Sequence, residues 1–399
     1  MCLVILLYAY MSRYFRHIQP SIIDHFKKYK EIIILLGPRQ AGKTTLVKNC
    51  FSKAHYLSVD NETTRSNLER YDITAYQQFI PADTKYLIID EIHLLTNPGR
   101  AAKIIYDQMQ GIKLIVTGSS SFNIKHKVTE SLAGRKIDYH LYPLTLTEFL
   151  YQKGLSQEKD VNIINRITAK KTEDRLFSFD FKSVLDNLLI YGSYPMLVDR
   201  PNDQIYLKNL VDSVIFRDLL DLNSITNRQA ALNLLRLLAY QIGSLVNISE
   251  LSNRLNISVE TVRRYLYLFE QSYIIFSLKP YAKSGRDEIG KMSKYYFHDL
   301  GIRNALIDNF NLPSVRGDFG SLFENFIISE VLKANVYQNL GYKMNFWRNK
   351  QGSEIDLIMQ KNDELLAIEI KTKKRRINLA FKNRYPEARH IVLTRDNFY

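Results

Sequence analysis

The 399-residue chain contains little cysteine, a single tryptophan and no long apolar run. Cys2 and Cys50 cannot build a disulfide framework or a four-cysteine zinc site, so we expect a reducing cytoplasm and oxygen ligands for any metal. The apolar stretch 2–10 is shorter than the roughly 20 residues that span a bilayer, and no basic segment precedes it. The sequence therefore predicts neither a membrane anchor nor a secretion signal. Met11 is a second candidate start.

Charge and length limit the class of protein. Lys+Arg number 55 against 41 Asp+Glu, a net charge of +14, which suggests a polyanionic partner such as DNA. AT-rich coding is an alternative explanation, because it raises lysine and tyrosine without a functional demand. With 46% hydrophobic and 24% charged residues the chain can bury ordinary cores, and its length exceeds the roughly 250–300 residues of one core. We therefore expect a globular protein of several domains.

The order of apolar runs predicts an α/β multidomain protein. Residues 32–36, 56–59, 86–89 and 113–116 are nearly continuous apolar runs separated by amphipathic stretches, as in a parallel sheet with helices on both faces. Helical patterns follow, then a helix–turn–helix–strand pattern and a smaller α+β end. The predicted domains are 12–150 (P-loop domain), 151–243 (helical lid or connector), 244–300 (winged helix) and 301–399.

The winged-helix prediction rests on two short helices. Ser249 and Ser258 can cap them. Four apolar residues follow a 3, 4 and 3 spacing on one face of the second helix: Val259, Val262, Leu266 and Phe269. The residues left on other faces form the predicted DNA-contact set, Arg263, Arg264 and Tyr267. A winged helix that docks a protein is the alternative.

Residues 37–44 predict a nucleotide site. Their sequence, Gly-Pro-Arg-Gln-Ala-Gly-Lys-Thr, fits G-x-x-x-x-G-K-[ST] between a predicted strand and a predicted helix. Such a loop surrounds phosphate oxygens with backbone N–H groups at a helix N-terminus. Lys43 is expected to bridge the β- and γ-phosphates and Thr44 to ligate Mg²⁺. The predicted ATP-binding residues are Gly37, Pro38, Arg39, Gln40, Ala41, Gly42, Lys43, Thr44, Thr45 and Asp90.

Carboxylates and hydroxyls at neighbouring strand ends complete this prediction. Asp90 follows four apolar residues and is expected to hold Mg²⁺, while Glu91 is expected to polarise the attacking water. An acidic pair at a helix N-terminus is the alternative reading. Ser119 is a candidate for orienting the water or the γ-phosphate. Arg135 is a candidate for neutralising transition-state charge, in cis or from a neighbouring subunit of a homo-oligomer.

The chain resembles the bacterial and archaeal AAA-type ATPases that carry a C-terminal domain of unknown function. The residues that carry the resemblance are 37–44, 87–93, 117–121, 131–135 and 142–149, and downstream 191–195, 216–218 and 297–301. The resemblance covers nearly the whole chain and implies ATP binding, a winged helix and a restriction-endonuclease-like end.

The last 90 residues match the order of carboxylates in PD-(D/E)xK nucleases. Glu324 lies on a predicted helix, Asp356 on a strand, and Glu369 and Lys371 on the next strand, where period-two geometry puts them on one face. That resemblance implies a second Mg²⁺ or Mn²⁺ on Glu324, Asp356 and Glu369, with Lys371 assisting. Two exposed strands with alternating charges are the alternative.

The sequence is therefore consistent with three functions. The first is a cytoplasmic ATPase, dependent on ATP and Mg²⁺, that associates with DNA. The second is an ATP-dependent switch or scaffold that recruits a protein partner through a degenerate nuclease fold. The third is an active, ATP-regulated nuclease.

Overall fold

The computed structural model describes residues 15–118, 132–169, 177–213, 225, 227–282, 292–372 and 379–399. By its internal contacts the chain divides into two compact units. The first comprises Met1–Leu144 with Gln271–Tyr273, and the second comprises Thr145–Glu270 with Ile274–Tyr399. Ser119 and the segment 216–218 lie outside the described residues.

A five-stranded parallel sheet forms the centre of the first unit. Its strands run in the order β2-β3-β4-β1-β5. They are β1 (Ile32–Leu36), β2 (His55–Ser58), β3 (Tyr86–Asp90), β4 (Lys113–Gly118) and β5 (Lys136–His140). All five residues of β1 are fully buried because helices cover both faces of a parallel sheet. The predicted α/β fold of this region is confirmed. The half-buried edge strand β5 was not predicted, since its residues are mostly polar.

Helices of the first unit begin at side-chain caps. Asn61, Asp72 and Asn97 each accept a hydrogen bond from the backbone N–H three residues on, and Pro98 occupies the first turn after Asn97. The helices are Gln19–Ile23, His25–Lys28, Lys43–Cys50, Glu62–Leu68, Ile73–Phe79 and Pro98–Gln108, with a 3₁₀ turn at Ile92–Leu94.

The second unit begins as a run of helices. Thr145 and Glu148 form a capping box at the start of the first of them. The helices are Leu146–Gln152, Ile163–Thr168, Phe181–Tyr191, Met196–Asp199, Gln204–Ser213, Arg228–Tyr240, Ile248–Leu255, Val259–Gln271, Leu300–Leu306, Phe319–Tyr337 and Leu379–Arg384, with a 3₁₀ turn at Pro313–Val315. Within the described ranges, none of the helices combines the length and apolarity needed to cross a membrane.

A six-stranded mixed sheet completes the second unit, in the order β11-β10-β9-β8-β6-β7. Its strands are β6 (Ile275–Pro280), β7 (Lys294–Phe297), β8 (Lys343–Arg348), β9 (Glu354–Lys361), β10 (Glu364–Ile370) and β11 (Arg389–Leu393). β9 and β10 form an antiparallel pair around a turn at Asn362, which has a positive φ of 50°. Strand β6 pairs with both β7 and β8, so one sheet continues across residue 300, the predicted domain boundary.

The helix pair before β6 differs from the prediction in two details. Asn247, not Ser249, caps the first helix, because its side chain accepts from the N–H groups of Ser249 and Glu250. Ser258 caps the second helix, as predicted, through the N–H of Thr261. Val259 is 37% exposed and lies off the core face, since it occupies the first turn. The buried face consists of Val262, Tyr265, Leu266, Leu268 and Phe269.

Candidate functional site

The loop after β1 has the shape of a phosphate-binding loop. Strand β1 ends at Leu36 and the helix begins at Lys43, directly after Gly42. Gly42 has a φ of 93°, which residues with a Cβ rarely adopt. A Cβ on Gly37 would overlap the carbonyl oxygen of Leu141. Both motif glycines are therefore required by backbone geometry.

Lys43 lies inside this loop. Its side chain is 5% exposed, and its Nζ donates hydrogen bonds to the carbonyl oxygens of Gly37 (3.0 Å) and Pro38 (2.9 Å). The ammonium is thus held within the loop at the N-terminus of the helix Lys43–Cys50. A helix N-terminus carries partial positive charge and free N–H groups, so charge and geometry here both suit an anion.

Asp90, the last residue of β3, is held by neutral hydroxyl groups on three sides. Thr44 Oγ1 (2.8 Å) and Tyr56 Oη (2.7 Å) donate to Oδ2, and Thr117 Oγ1 donates to Oδ1. Burial, together with the hydrogen bond and charge of Asp90, raises the pKa of Tyr56. These donors fix the orientation of the carboxylate without neutralising its charge. Tyr56 was not predicted, because its sequence position indicates only a strand residue.

Glu91 follows in a strained conformation. Its φ of 55° lies in the left-handed region, which costs free energy for a residue with a Cβ and is concentrated at functional sites. Its N–H donates to Thr117 Oγ1 (3.3 Å), and its Oε2 lies 3.2 Å from His93 Nδ1. Thr117 therefore positions both acidic residues at this edge of the sheet.

The donor set at this edge fits Mg²⁺. Thr44 Oγ1 and the Asp90 carboxylate are hard oxygen donors in direct contact, and Mg²⁺ prefers one or two such ligands with phosphate oxygens and water completing its shell. The structure thus brings together the two residues that the sequence analysis named for this role.

Arg135 lies at the amino ends of the parallel strands, whereas the phosphate loop lies at their carboxyl ends. Its neighbour Lys136 pairs with Ile32, the first residue of β1, whereas the phosphate loop follows the last. At about 3.3 Å per strand residue, the two ends of β1 are roughly 13 Å apart. The Arg135 guanidinium instead contacts Asp107, with Nε 2.9 Å from Oδ1. The structure therefore does not bring Arg135 to the phosphate loop, and its role, in cis or from a neighbouring subunit, stays a prediction.

Arg16 is a contact residue of the loop that the sequence analysis missed. It is 5% exposed and donates to the carbonyl oxygens of Ala41 (2.8 Å) in the loop and Tyr142 (2.5 Å) after β5. A buried guanidinium with two carbonyl acceptors fixes both backbone segments. No motif surrounds Arg16, so the sequence carries no signal for this contact.

The second unit contains an acidic cluster, defined as Glu324, Glu354, Asp356 and Glu369. Glu324 comes from the helix Phe319–Tyr337, and the other three come from β9 and β10. Lys371 follows the last residue of β10, and its Nζ lies 3.2 Å from Asp356 Oδ2 and 3.6 Å from Glu369 Oε2. The side chains of Lys371 and Glu369 therefore lie together beside Asp356. The N–H of Ile370 also donates to Asp356 Oδ2 (2.7 Å).

A buried lysine occupies the other half of the acidic cluster. Lys294 Nζ lies 3.4 Å from Glu324 Oε1 and forms a shorter ion pair with Glu354 Oε1. Burial alone would lower the pKa of Lys294, but the charges of Glu324 and Glu354 outweigh it and raise that pKa. Burial raises the pKa of Glu324 to about 7, against the opposing effect of Lys294. The site therefore keeps the lysine charged and disfavours an additional negative charge.

The acidic cluster does not fit the predicted second metal. A divalent ion on Glu324, Asp356 and Glu369 needs free carboxylate oxygens. Glu324 Oε1 already contacts the Lys294 ammonium, and Asp356 Oδ2 and Glu369 Oε2 contact Lys371. Across the described ranges of the chain, no three His, Cys, Asp or Glu side chains are grouped so that they could hold a metal ion.

Comparison with known families divides the chain into three parts. Residues 29–150 match the family described as an AAA domain, and residues 182–312 and 319–397 match two domains of unknown function, DUF8612 and DUF4143. An uncharacterized protein of Haemophilus influenzae is 24% identical over 365 residues, which are 86% of this chain and 83% of the relative. An uncharacterized protein of Methanocaldococcus jannaschii is 25% identical over 359 residues, 82% of this chain and 73% of the relative.

Two solved structures illustrate the structural likenesses. The Walker-type ATPase of Pyrococcus abyssi has 14% identity and a TM-score of 0.47, over 73% of this chain and 95% of its own. A RuvB variant of Thermotoga maritima has 16% identity and a TM-score of 0.32, over 66% of this chain and 85% of its own. The assignment of the first unit rests on the family match of residues 29–150 and on the phosphate-loop geometry. Residues 29–150 are thus similar to an AAA domain, and the loop after β1 has the geometry of a phosphate-binding loop.

Proposed function

We propose that this chain hydrolyses ATP in the first unit. The observation that carries the proposal is the set of contacts on Asp90, which lies against Thr44 of the phosphate loop and Thr117 of β4. In this scheme Lys43 and the loop N–H groups bind the phosphates, and Thr44 and Asp90 hold Mg²⁺. Bound Mg²⁺ would neutralise charge on the phosphate oxygens. Glu91 then orients the attacking water, and Thr117 keeps Glu91 in position.

Two substitutions separate binding from hydrolysis. We expect Lys43→Ala to weaken nucleotide affinity by roughly 100-fold, because it removes a buried cation from the phosphate site. Glu91→Gln should leave affinity within about threefold and lower kcat by at least about 100-fold, because it removes only the group that polarises water. Calorimetric nucleotide titration beside steady-state turnover measures both quantities. Matched controls are Lys103→Ala and Glu62→Gln, which change exposed residues of the same unit.

Equal loss of nucleotide affinity in Lys43→Ala and Glu91→Gln would contradict this division of roles. Absence of turnover in the folded parent, with nucleotide affinity intact, would favour the runner-up function. That alternative is a nucleotide-dependent switch that recruits a protein partner, and it predicts binding without multiple turnover.

We further propose that the second unit associates with DNA through the helix Val259–Gln271. The supporting observation is that Arg263, Arg264 and Tyr267 are exposed on this helix, opposite its buried face. The preceding helix and the following antiparallel pair β6–β7 are arranged in the chain order of a winged helix. Arginines on such a helix can contact phosphates or guanine.

The double substitution Arg263→Ala/Arg264→Ala tests the DNA proposal. It should weaken DNA binding across sequences and reduce the slope of log affinity against log salt by about 2, one for each lost phosphate contact. Arg254→Ala/Lys279→Ala is a control with the same charge change at other exposed positions of this region. Unchanged salt dependence in the Arg263/Arg264 double variant would contradict the proposal and favour protein docking by this helix. Turnover that DNA stimulates would link the two proposed activities.

A further inference from the structure

The acidic cluster already contains a cation, Lys294, that belongs to the chain. This lysine is the first residue of β7, and its backbone is fixed on both sides: it pairs with Leu278 of β6 and bridges to Leu245. Its side chain is 2% exposed. A side chain with so little exposed surface, on a backbone paired at two sides, is part of the packed interior and not a surface group.

The contacts of Lys294 occupy one oxygen of Glu324, a predicted metal ligand, and one oxygen of Glu354. Glu324 Oε1 receives hydrogen bonds from Lys294 Nζ (3.4 Å) and Tyr296 Oη (2.7 Å), and Glu354 Oε1 pairs with Lys294. A divalent ion would sit about 2.0–2.6 Å from these same oxygens. Because the ammonium lies at the common point of both carboxylates, one position cannot hold both cations.

Charge balance agrees with this placement. Among the described residues, at least three basic side chains form ion pairs with the acidic cluster: Lys294, Lys371 and Arg348, whose guanidinium lies 3.4 Å from Glu354 Oε2. When all of these groups are ionised, at most about one net negative charge remains for an added cation, and the affinity of a carboxylate site for a divalent ion depends on that charge.

We propose that Lys294 is the resident cation of the acidic cluster and takes the place of a divalent metal. The cluster then joins β7, β9 and the helix Phe319–Tyr337 by an internal ion-pair network. On this proposal the second unit performs no metal-dependent phosphodiester cleavage, and any DNA that it binds stays intact.

Mn²⁺ titration of the full-length chain, followed by electron paramagnetic resonance without nucleotide, tests the proposal. Every protein in the series carries Asp90→Asn, so that the phosphate-loop ligand is absent and the outcome does not depend on the ATPase proposal. The background protein should bind no Mn²⁺ up to about 1 mM, and Asp356→Asn should change nothing. Bound Mn²⁺ that Asp356→Asn removes would overturn the proposal.

The same titration of Lys294→Met asks whether the ammonium is what excludes the metal. Lys294→Met should gain one Mn²⁺ site at least about tenfold tighter than any binding by the background protein, and adding Glu324→Gln should remove it. A folded Lys294→Met variant that gains no Mn²⁺ would also overturn the proposal. If Lys294→Met does not fold, the comparison of the background protein with Asp356→Asn decides the question by itself.

Discussion

The two units hold their buried carboxylates in different ways. Asp90 in the first unit is oriented by hydroxyl groups of Thr44, Tyr56 and Thr117, whereas the acidic cluster of the second unit pairs with Lys294 and Lys371. Hydroxyl donors fix a carboxylate but leave its negative charge for an external cation. Ammonium groups cancel that charge. The partner of a carboxylate, more than the carboxylate itself, thus decides whether a site needs a metal.

The largest expected effect comes from removing the internal cation. Lys294→Met should lower the free energy of unfolding of the second unit by about 3 kcal/mol, because it removes the buried ammonium that balances the charges of Glu324 and Glu354. Lys371→Met should cost less, because the Lys371 side chain is 26% exposed and water can replace part of its charge beside Asp356 and Glu369. Denaturant unfolding followed by fluorescence of Trp347, the single tryptophan, reports on this unit. Equal losses of unfolding free energy in the two variants would contradict the claim that the buried Lys294 contributes more to stability than the partly exposed Lys371.

A matched pair of substitutions compares the two regions directly. Asp90→Asn should lower MgATP turnover by roughly 100-fold, because it removes a proposed metal ligand. Asp356→Asn makes the same chemical change in the acidic cluster and should leave turnover within about twofold. Steady-state rates at saturating ATP measure both. A comparable loss of turnover in both variants would show that the acidic cluster contributes to hydrolysis, and it would contradict the assignment of hydrolysis to the first unit alone.

Thr117→Val examines the hydroxyls that hold Asp90. The variant keeps the shape of the side chain but removes the link from Asp90 Oδ1 to the N–H of Glu91. We expect kcat to fall about tenfold with nucleotide affinity nearly unchanged, since one hydrogen bond to a charged group is lost. Thr63→Val, at an exposed threonine of the same unit, is the control. A change in affinity without a change in kcat would contradict the positioning role of Thr117.

The smallest expected effect concerns the stability of the fold at acidic pH. Burial would raise the pKa of Asp318, but hydrogen bonds and charge from Arg316 and Arg303 outweigh it and lower the pKa to about 2. A carboxylate with a lowered folded-state pKa stabilises the protein above its unfolded pKa, and the stabilisation is lost as pH falls toward 2. Asp318→Asn should therefore reduce the loss of stability between pH 4 and pH 2 by about 1 kcal/mol, after allowance for solvent screening. An unchanged acid-unfolding curve would contradict this assignment.

Local patterns in the sequence predicted most of the first unit. Strands β1 to β4 are continuous apolar runs, and the phosphate loop is a contiguous motif, so a reader of the sequence can place both. Arg16, Tyr56 and Arg135 could not be placed, because their contacts depend on strand order and register. The register of β5 against β1 puts Arg135 at the strand ends away from the phosphate loop, and the local spacing of residues does not reveal that register.

The second unit was predicted less completely, for a similar reason. The predicted positions of Glu324, Asp356, Glu369 and Lys371 follow from helix and strand patterns. Lys294, in contrast, begins a short strand that shows no charge motif. Only the pairing of β6 with both β7 and β8 brings Lys294 to the carboxylates. Val259 was assigned to the core by spacing alone, although a residue in the first turn of a helix can extend beyond the packed face.

The most direct measurement is the number of Mn²⁺ ions bound per chain with and without a non-hydrolysable ATP analogue. We expect one Mn²⁺ per chain in the presence of the analogue, lost in Asp90→Asn, and none in its absence. A Mn²⁺ ion that binds without nucleotide and disappears in Asp356→Asn would contradict the proposed role of Lys294, because the acidic cluster would then be a metal site in spite of this lysine.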